Sequence, residues 1–322
     1  MKPIEYVFSV RNKNKHKIIT ILGIKLKFTK DNFNYRLWRF KQIKKKEGAG
    51  KATKYYVSKY LYAADLAQKE LETIPQAKIN QLTENLWTMW LQEDVPEPIQ
   101  MCLSTIKRFY PEIIIITEKN LFEYVNIPEY IYEKYKKGII KPPHFSDYIR
   151  MYLLDKYGGT WIDASCLMLD RIPKFILKQP FFILQTPNKK EISNFFIHSG
   201  KNNFITKTIK IYLEEYWKHE NITIDYFLYH HYFNFIRRAI PRFEQLYNNI
   251  IPYLNSKVRY LTDNIAQNAD KDAWEYLSKT SFMYKFQRKN KNAVKNPNSW
   301  YNFLLNEYRN GKLLSNIDST AV

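Results

Sequence analysis

Four short apolar runs stand out in the middle of the chain, and the second of them is too apolar to form a strand with a solvent-facing side. The first reads Asn-Leu-Trp-Thr-Met-Trp, and the second consists of four consecutive isoleucines. Because amphipathic segments separate these runs, the order of strands and helices predicts an α/β fold in which a mostly parallel sheet is covered by helices. The predicted strands are residues 85–90, 113–116, 160–163 and 181–184.

The segments between and before these strands show helical spacing of their apolar residues. Pro96 and Pro98 predict the beginning of one helix, and Gly158-Gly159 predict the end of another. Residues 16–27 alternate only in part, which leaves a short hairpin or a surface-lying segment as alternatives. The predicted helices are residues 51–78, 96–109, 119–126, 128–137 and 144–156.

The positive charge of the chain is unevenly distributed. The formal net charge is +20, and residues 1–60 hold 17 Lys and Arg against 3 Asp and Glu, which amounts to +14. Such a segment binds nucleic acid, anionic lipid or a phosphorylated acceptor, and charge alone does not choose among them. Trp38 and Phe40 lie among the basic residues, which favours a segment on an anionic membrane; the alternative is a basic extension packed on the rest of the protein.

Three regions follow from this distribution. Residues 1–75 form a basic, partly helical N-terminal extension, residues 76–295 form the main α/β domain, and residues 296–322 form a C-terminal helix and tail. The most apolar early stretch, residues 18–26, is shorter than the ~18 residues that a membrane span needs and contains Lys25. The first residues do not lead into a signal peptide, so we expect a cytoplasmic location.

Candidate chemistry is concentrated around the third predicted strand. Asp147 and Arg150 are three residues apart on one predicted helix and therefore share a face. Asp163 ends the strand, and ligands of open α/β sheets gather where strands end. A carboxylate there suits a divalent cation or a sugar hydroxyl. The alternative interpretation of Asp147 and Arg150 is a structural ion pair.

Transfer of a sugar from a nucleotide needs groups of this kind. A cation must meet the charge that grows on the leaving diphosphate, and Asp and Arg hold sugar hydroxyls well. An aromatic ring commonly stacks on the base. Further candidates have two interpretations each: His230 as a ligand or a core residue, Asn194 as an acceptor contact or a turn cap, and Lys285 as a diphosphate contact or part of a solvated basic tail.

The segment Ser146–Ser165 (SDYIRMYLLDKYGGTWIDAS) resembles the signature of the capsular polysaccharide synthesis proteins, which belong to a wider group of DXD-containing sugar transferases. Flanking segments resemble further blocks of that family, so the resemblance covers roughly residues 82–290. It implies a GT-A-type fold. It also implies that Trp87 stacks on the nucleobase, that Asp147 and Arg150 hold the donor sugar, and that Asp163 is the first carboxylate of the DXD motif.

The DXD motif itself departs from the family pattern, because Ser165 stands where the second carboxylate is expected. The resemblance implies a Mn²⁺ or Mg²⁺ ion held by Asp163, and this departure leaves the metal requirement open. The predicted catalytic residues are Asp147, Arg150 and Asp163; the predicted donor-binding residues are Trp87, Ser146, Asp147, Arg150, Gly159, Asp163 and Ser165; the candidate acceptor or diphosphate contacts are Asn194, His230 and Lys285.

These observations favour a glycosyltransferase that moves a hexose or N-acetylhexosamine from a nucleotide sugar, with UDP as the expected nucleotide. The expected acceptor is a lipid-linked or lipopolysaccharide saccharide at the inner face of the plasma membrane, where an anionic surface is a second partner. The resemblance points to retention of anomeric configuration. A nucleic-acid-binding protein is one alternative, although the chain has no nucleic-acid-binding signature. An inactive transferase fold that serves as a membrane scaffold is the other.

Overall fold

The computed structural model describes residues 8–13, 16–21, 24–29, 35–186, 191–253 and 255–313. The chain divides into two compact units, residues 1–59 and residues 60–322. The domain boundaries expected after residues 75 and 295 remain predictions.

The first unit contains a three-stranded antiparallel sheet as well as helices. Strands β1 (Phe8–Lys13), β2 (His16–Ile21) and β3 (Ile24–Thr29) pair in chain order, so the hairpin alternative for residues 16–27 is confirmed. Two helices follow, α1 (Tyr35–Glu47) and α2 (Ala49–Val57). The expectation of an only partly helical extension missed the additional strand β1.

Residues 51–78 do not form one continuous helix. Helix α2 ends at Val57, a 3₁₀ turn follows at Ser58–Tyr60, and α3 covers Ala63–Glu72. Helix α3 buries its alanine and leucine face and packs against a long helix, α9 (Phe204–His219). The apolar spacing predicted the helical content correctly but did not reveal the interruption.

A five-stranded sheet forms the centre of the second unit. Its spatial order is β5, β4, β6, β9, β8, with β4 parallel to β5 and β6, and β9 antiparallel to β6 and β8. Four strands therefore run in one direction and β9 runs opposite, so the α/β class is confirmed and the sheet is mixed. The strands are β4 (Leu86–Met89), β5 (Ile114–Ile116), β6 (Gly159–Ile162), β8 (Phe181–Gln185) and β9 (Ile192–Ser199).

Helices surround this sheet, and the four that were predicted over residues 96–156 are present. The remaining helices of the second unit are α4 (Glu97–Phe109), α5 (Leu121–Tyr124), α6 (Glu129–Lys136), α7 (Pro142–Tyr157), α8 (Lys174–Leu177), α10 (Leu228–Ala239), α11 (Pro241–Asn248), α12 (Asn255–Asn264), α13 (Lys271–Thr280), α14 (Lys291–Lys295) and α15 (Trp300–Arg309).

A second, two-stranded sheet joins distant parts of the chain. Strand β7 (Cys166–Met168) pairs antiparallel with β10 (Met283–Lys285). This pairing carries Lys285 to the end of β6, 122 residues away in sequence from Asp163. Near the C-terminus, α15 packs on α4, where Arg309 donates two hydrogen bonds to the carboxylate of Glu97. Across the described ranges, none of the helices has the length and apolar character to span a bilayer.

Candidate functional site

A cavity of about 500 Å³ opens where β4 and β6 end. In open α/β sheets, ligands bind beyond the carboxyl ends of the strands, so this position matches the expected one. Five of the predicted site residues line the cavity together with Asn194 and His230. Its lining residues include Trp90, Ser146, Asp147, Arg150, Trp161, Asp163, Ser165, Asn194, Tyr226, Phe227, His230, Arg288 and Lys289.

Helix α7 holds Asp147 and Arg150 in place because both of its ends are fixed. Pro142 and Pro143 occupy its first positions, where a missing backbone N–H costs nothing. At the other end Gly158 adopts a φ of 69° and its backbone N–H donates to the carbonyl of Leu154. The chain then turns directly into β6, whose end carries Asp163.

The guanidinium of Arg150 connects the two carboxylates of the site. Its Nη1 donates to Oδ1 of Asp147 at 2.9 Å, and its Nη2 donates to Oδ1 of Asp163 at 3.0 Å. The Arg150 side chain is 4% exposed and lies 4.9 Å from the ring centre of Trp161. The predicted pairing of Asp147 with Arg150 is present, and Arg150 additionally binds the carboxylate at the strand end.

Asp163 is surrounded by donors. Besides Arg150, the indole Nε1 of Trp161 donates to Oδ1 at 2.8 Å, and Nζ of Lys285 donates to Oδ2 at 2.6 Å. Burial acts to raise the pKa of Asp163, but the positive charges of Lys285 and Arg150 outweigh it and hold the pKa below its ordinary value. Asp163 is therefore an ionised carboxylate at neutral pH.

Asp147 lies in a different environment. Asn194 donates through Nδ2 to the same Oδ1 that accepts from Arg150, at 2.8 Å, whereas Oδ2 faces Nδ1 of His144 at 3.9 Å. Burial raises the pKa of Asp147 to about 7; the charge of Asp163 adds to the effect, and Arg150 and Asn194 oppose it. One carboxyl of the pair thus titrates near neutrality while the other stays ionised.

Two predicted donor-binding residues lie away from the cavity. Trp87 is 2% exposed, its Nε1 donates to the carbonyl of Gly158, and its ring packs against Tyr124 and Tyr157. Gly159 begins β6, whereas Asp163 follows its end. Gly159 has a φ of 98°, and a Cβ there would overlap the carbonyl group of Asn85, so close strand packing accounts for this glycine. The geometry does not support donor contacts by Trp87 or Gly159.

The structure adds aromatic residues that the sequence interpretation did not assign to the site. Trp90, three residues after Trp87, lines the cavity, and the guanidinium of Arg288 lies 5.1 Å from its ring centre. Tyr226 and Phe227 line the cavity near His230. These rings are hard to recognise as site residues from the sequence, because an aromatic residue just past a strand or in a loop has the same pattern as a core residue.

The donor set at Asp163 does not fit a divalent cation. Both carboxylate oxygens accept from cationic side chains, and Ser165 supplies a hydroxyl where a second carboxylate would be needed. Within the described ranges, no cluster of three or more His, Cys, Asp or Glu side chains is arranged to hold a metal ion. The Mn²⁺ or Mg²⁺ requirement remains a prediction.

Sequence comparison places the chain in a known family. The pattern of the capsular polysaccharide synthesis protein family matches residues 34–318, which include both carboxylates, Arg150 and Lys285. No curated protein sequence matches the chain. Because the match extends over most of the chain, the protein belongs to the capsular polysaccharide synthesis protein family.

Proposed function

We propose that the protein is a glycosyltransferase that moves a hexose or N-acetylhexosamine from a UDP-sugar to a capsule or lipopolysaccharide acceptor, with retention of configuration. The observation that carries the proposal is a buried guanidinium, Arg150, held between two carboxylates in a cavity at the ends of parallel strands. Family membership supports a role in capsule biosynthesis.

The carboxylates and Arg150 are suited to hold the donor sugar. Charged groups fixed by their own hydrogen bonds bind hydroxyls without reorganising, which is the main electrostatic advantage of an enzyme site. Arg150 is fixed by two carboxylates, and Asn194 fixes Asp147 from the other side. In this proposal Asp147 and Asp163 accept hydrogen bonds from sugar hydroxyls, while Ser146 and Ser165 complete the polar wall.

The leaving diphosphate requires positive charge. When the bond between the anomeric carbon and the diphosphate oxygen breaks, negative charge accumulates on that oxygen. Arg288 and Lys289 line the cavity, and Lys285 lies against Asp163 at its edge. We propose that these three cations stabilise the diphosphate directly. Trp90, with Arg288 beside its ring, takes the base-stacking role that the sequence interpretation assigned to Trp87.

Calorimetry with UDP tests the proposed function. We expect UDP to bind the intact protein in buffer containing EDTA, with at most about a twofold weaker Kd than with Mn²⁺, because side chains supply the positive charge. A short, stable duplex DNA is the control ligand. Tighter binding of DNA than of UDP would favour the nucleic-acid-binding alternative, and UDP binding without turnover of any UDP-sugar would favour the inactive scaffold. UDP binding that depends on Mn²⁺ would contradict this expectation and support the predicted metal site.

We also propose that the first unit binds the anionic surface of the inner membrane, where a lipid-linked acceptor is held. Helix α1 ends in Lys44, Lys45 and Lys46, all exposed, while Phe40 is buried and packs edge-on against Tyr56 at 5.8 Å. Phe40 therefore contributes to the core of the unit and not to a membrane-facing surface. The attraction is electrostatic, and each lysine near the surface contributes about 1 kcal/mol.

Cosedimentation with vesicles containing phosphatidylglycerol checks this proposal. Replacing Lys44, Lys45 and Lys46 by glutamine in the full chain should weaken vesicle binding at least about tenfold at low salt. The matched control replaces three exposed lysines of the second unit, Lys271, Lys291 and Lys295, and should leave binding unchanged. Equal loss in both variants, or binding that ignores salt, would show that α1 is not an electrostatic anchor.

A further inference from the structure

Two adjacent aromatic side chains stand exposed at one side of the cavity. Tyr226 is 68% exposed and Phe227 is 53% exposed, and both line the cavity that contains Asp147 and Asp163. Single exposed apolar residues are normal on protein surfaces. Two neighbouring exposed rings beside a polar cavity form a contiguous apolar patch, which is less common. Their location next to the site suggests that a ligand covers them.

The local structure keeps these rings outward. The side chain of Asp225 accepts a hydrogen bond from the backbone N–H of Phe227 at 2.8 Å and lies 3.3 Å from Nε2 of His231. The two rings meet edge to face with centres 5.1 Å apart, and Phe227 also packs edge-on against His230 at 5.5 Å. The turn and these contacts define a preformed surface, so little side-chain freedom is lost when a ligand binds.

The groups that contact the pair favour a neutral ligand. The titratable side chains in contact with the pair or with its turn are Asp225, His144, His230 and His231. In contrast, the cavity-lining cations Arg288 and Lys289 accompany Trp90. Trp90 and its neighbouring cations therefore suit a diphosphate and its base, which leaves Tyr226 and Phe227 for the second substrate of a transfer reaction.

The chemistry of aromatic faces matches a saccharide. The face of an aromatic ring carries partial negative charge, and one face of a pyranose presents C–H groups with partial positive charge and little polarity. Hydroxyls on the edge of the same sugar would remain free to reach the carboxylates and Asn194 in the cavity. An extended neutral polymer would thus lie on the rings and direct its terminal hydroxyl inward.

We propose that Tyr226 and Phe227 form the acceptor platform, on which a neutral saccharide unit of the growing polysaccharide stacks beside the donor sugar. This inference rests on the proposed function in one respect, because the bound saccharide is an acceptor only if the protein transfers a sugar. Binding of a saccharide to the two rings can be tested without turnover. The acceptor hydroxyl then attacks the anomeric carbon from the face that the diphosphate leaves, and its proton passes to the departing diphosphate oxygen, so that configuration is retained.

Saturation-transfer NMR with free neutral trisaccharides of glucose, galactose and N-acetylglucosamine tests the platform in the full chain. The wild type should saturate the C–H protons of at least one trisaccharide. The double variant Tyr226→Ala/Phe227→Ala should weaken that binding about tenfold, as expected for the loss of ring contacts. Tyr226→Phe, which keeps the ring, should retain binding, and so should Tyr276→Ala, which removes a ring that is 69% exposed on α13.

UDP binding, measured by calorimetry on the same proteins, separates the possible failures. Loss of UDP affinity in the double variant with unchanged trisaccharide binding would show that the pair holds the nucleoside, which would overturn the platform. Absence of trisaccharide binding in the wild type would also overturn it, whereas the proposed function would stand if UDP still bound. Trisaccharide binding by a wild type that does not bind UDP would support the saccharide surface and refute the transferase.

Discussion

Replacing Arg150 by methionine is expected to lower sugar transfer by at least about 100-fold and to destabilise the fold by about 3–5 kcal/mol. Methionine keeps most of the buried apolar stem and removes the guanidinium. The activity loss follows because Arg150 positions both carboxylates, Asp147 and Asp163, that face the cavity. The stability loss follows because buried carboxylates then lose a charged partner.

To separate the loss of activity from the loss of stability, a control variant must lower stability without changing the site. Lys207 on α9 is a matched residue: its side chain is 6% exposed and donates to Oδ2 of Asp155 at 3.1 Å. Each substitution leaves a lysine beside one affected carboxylate, Lys285 beside Asp163 in the first case and Lys210 beside Asp155 in the second, whereas Asp147 keeps the amide of Asn194. Lys207→Met should therefore lower the thermal midpoint comparably.

Specific activity of the folded fraction then distinguishes a functional from a structural ion pair. Lys207→Met should retain nearly wild-type turnover of a UDP-sugar per folded molecule, and Arg150→Met should not. Equal turnover in both variants, corrected for folded protein by circular dichroism, would mean that the Arg150 pairs only stabilise the fold.

The sequence was sufficient for the fold class and for the position of one carboxylate. Apolar runs of strand length between helical segments predicted β4, β5, β6 and β8, and the end of β6 located Asp163 at a strand terminus. These predictions succeeded because period and length are local properties of the chain. Strand β9 was not predicted, and neither was its antiparallel direction, since pairing direction depends on connections between distant segments.

Long-range partners account for most of what the sequence interpretation missed at the site. Lys285 reaches Asp163 only because β10 pairs with β7, and no local pattern encodes that pairing. The two tryptophans show the same limit. Trp87 lies inside β4 and is buried, whereas Trp90 follows the strand and faces the cavity. The position of the strand end therefore decides which ring is available, and strand ends are poorly determined by sequence.

Sugar transfer by the wild type is expected to rise with pH through about 7, and Asp147→Asn is expected to remove that rise and to lower activity about 100-fold at pH 8. Burial raises the pKa of Asp147 to about 7, so the carboxyl ionises only as the pH passes this value. Asparagine keeps the Oδ1 acceptor for Arg150 and Asn194 but resembles the protonated form. His144, which faces Oδ2, has its own pKa lowered by burial and stays neutral in this range.

The same shift predicts how the stability of the fold depends on pH. Because the pKa of Asp147 is raised on folding, its contribution to stability is greatest below the ordinary value near 4 and is lost as the pH rises toward 7. Asp147→Asn should therefore have a thermal midpoint close to the wild type at pH 5 and above it at pH 8, although it is less active there. A substitution that raises stability and lowers activity is expected at a carboxylate that serves ligand binding and destabilises the fold when it is ionised. A constant difference in midpoint between pH 5 and pH 8 would show that Asp147 ionises at an ordinary pKa, and the rise in activity would then need another source.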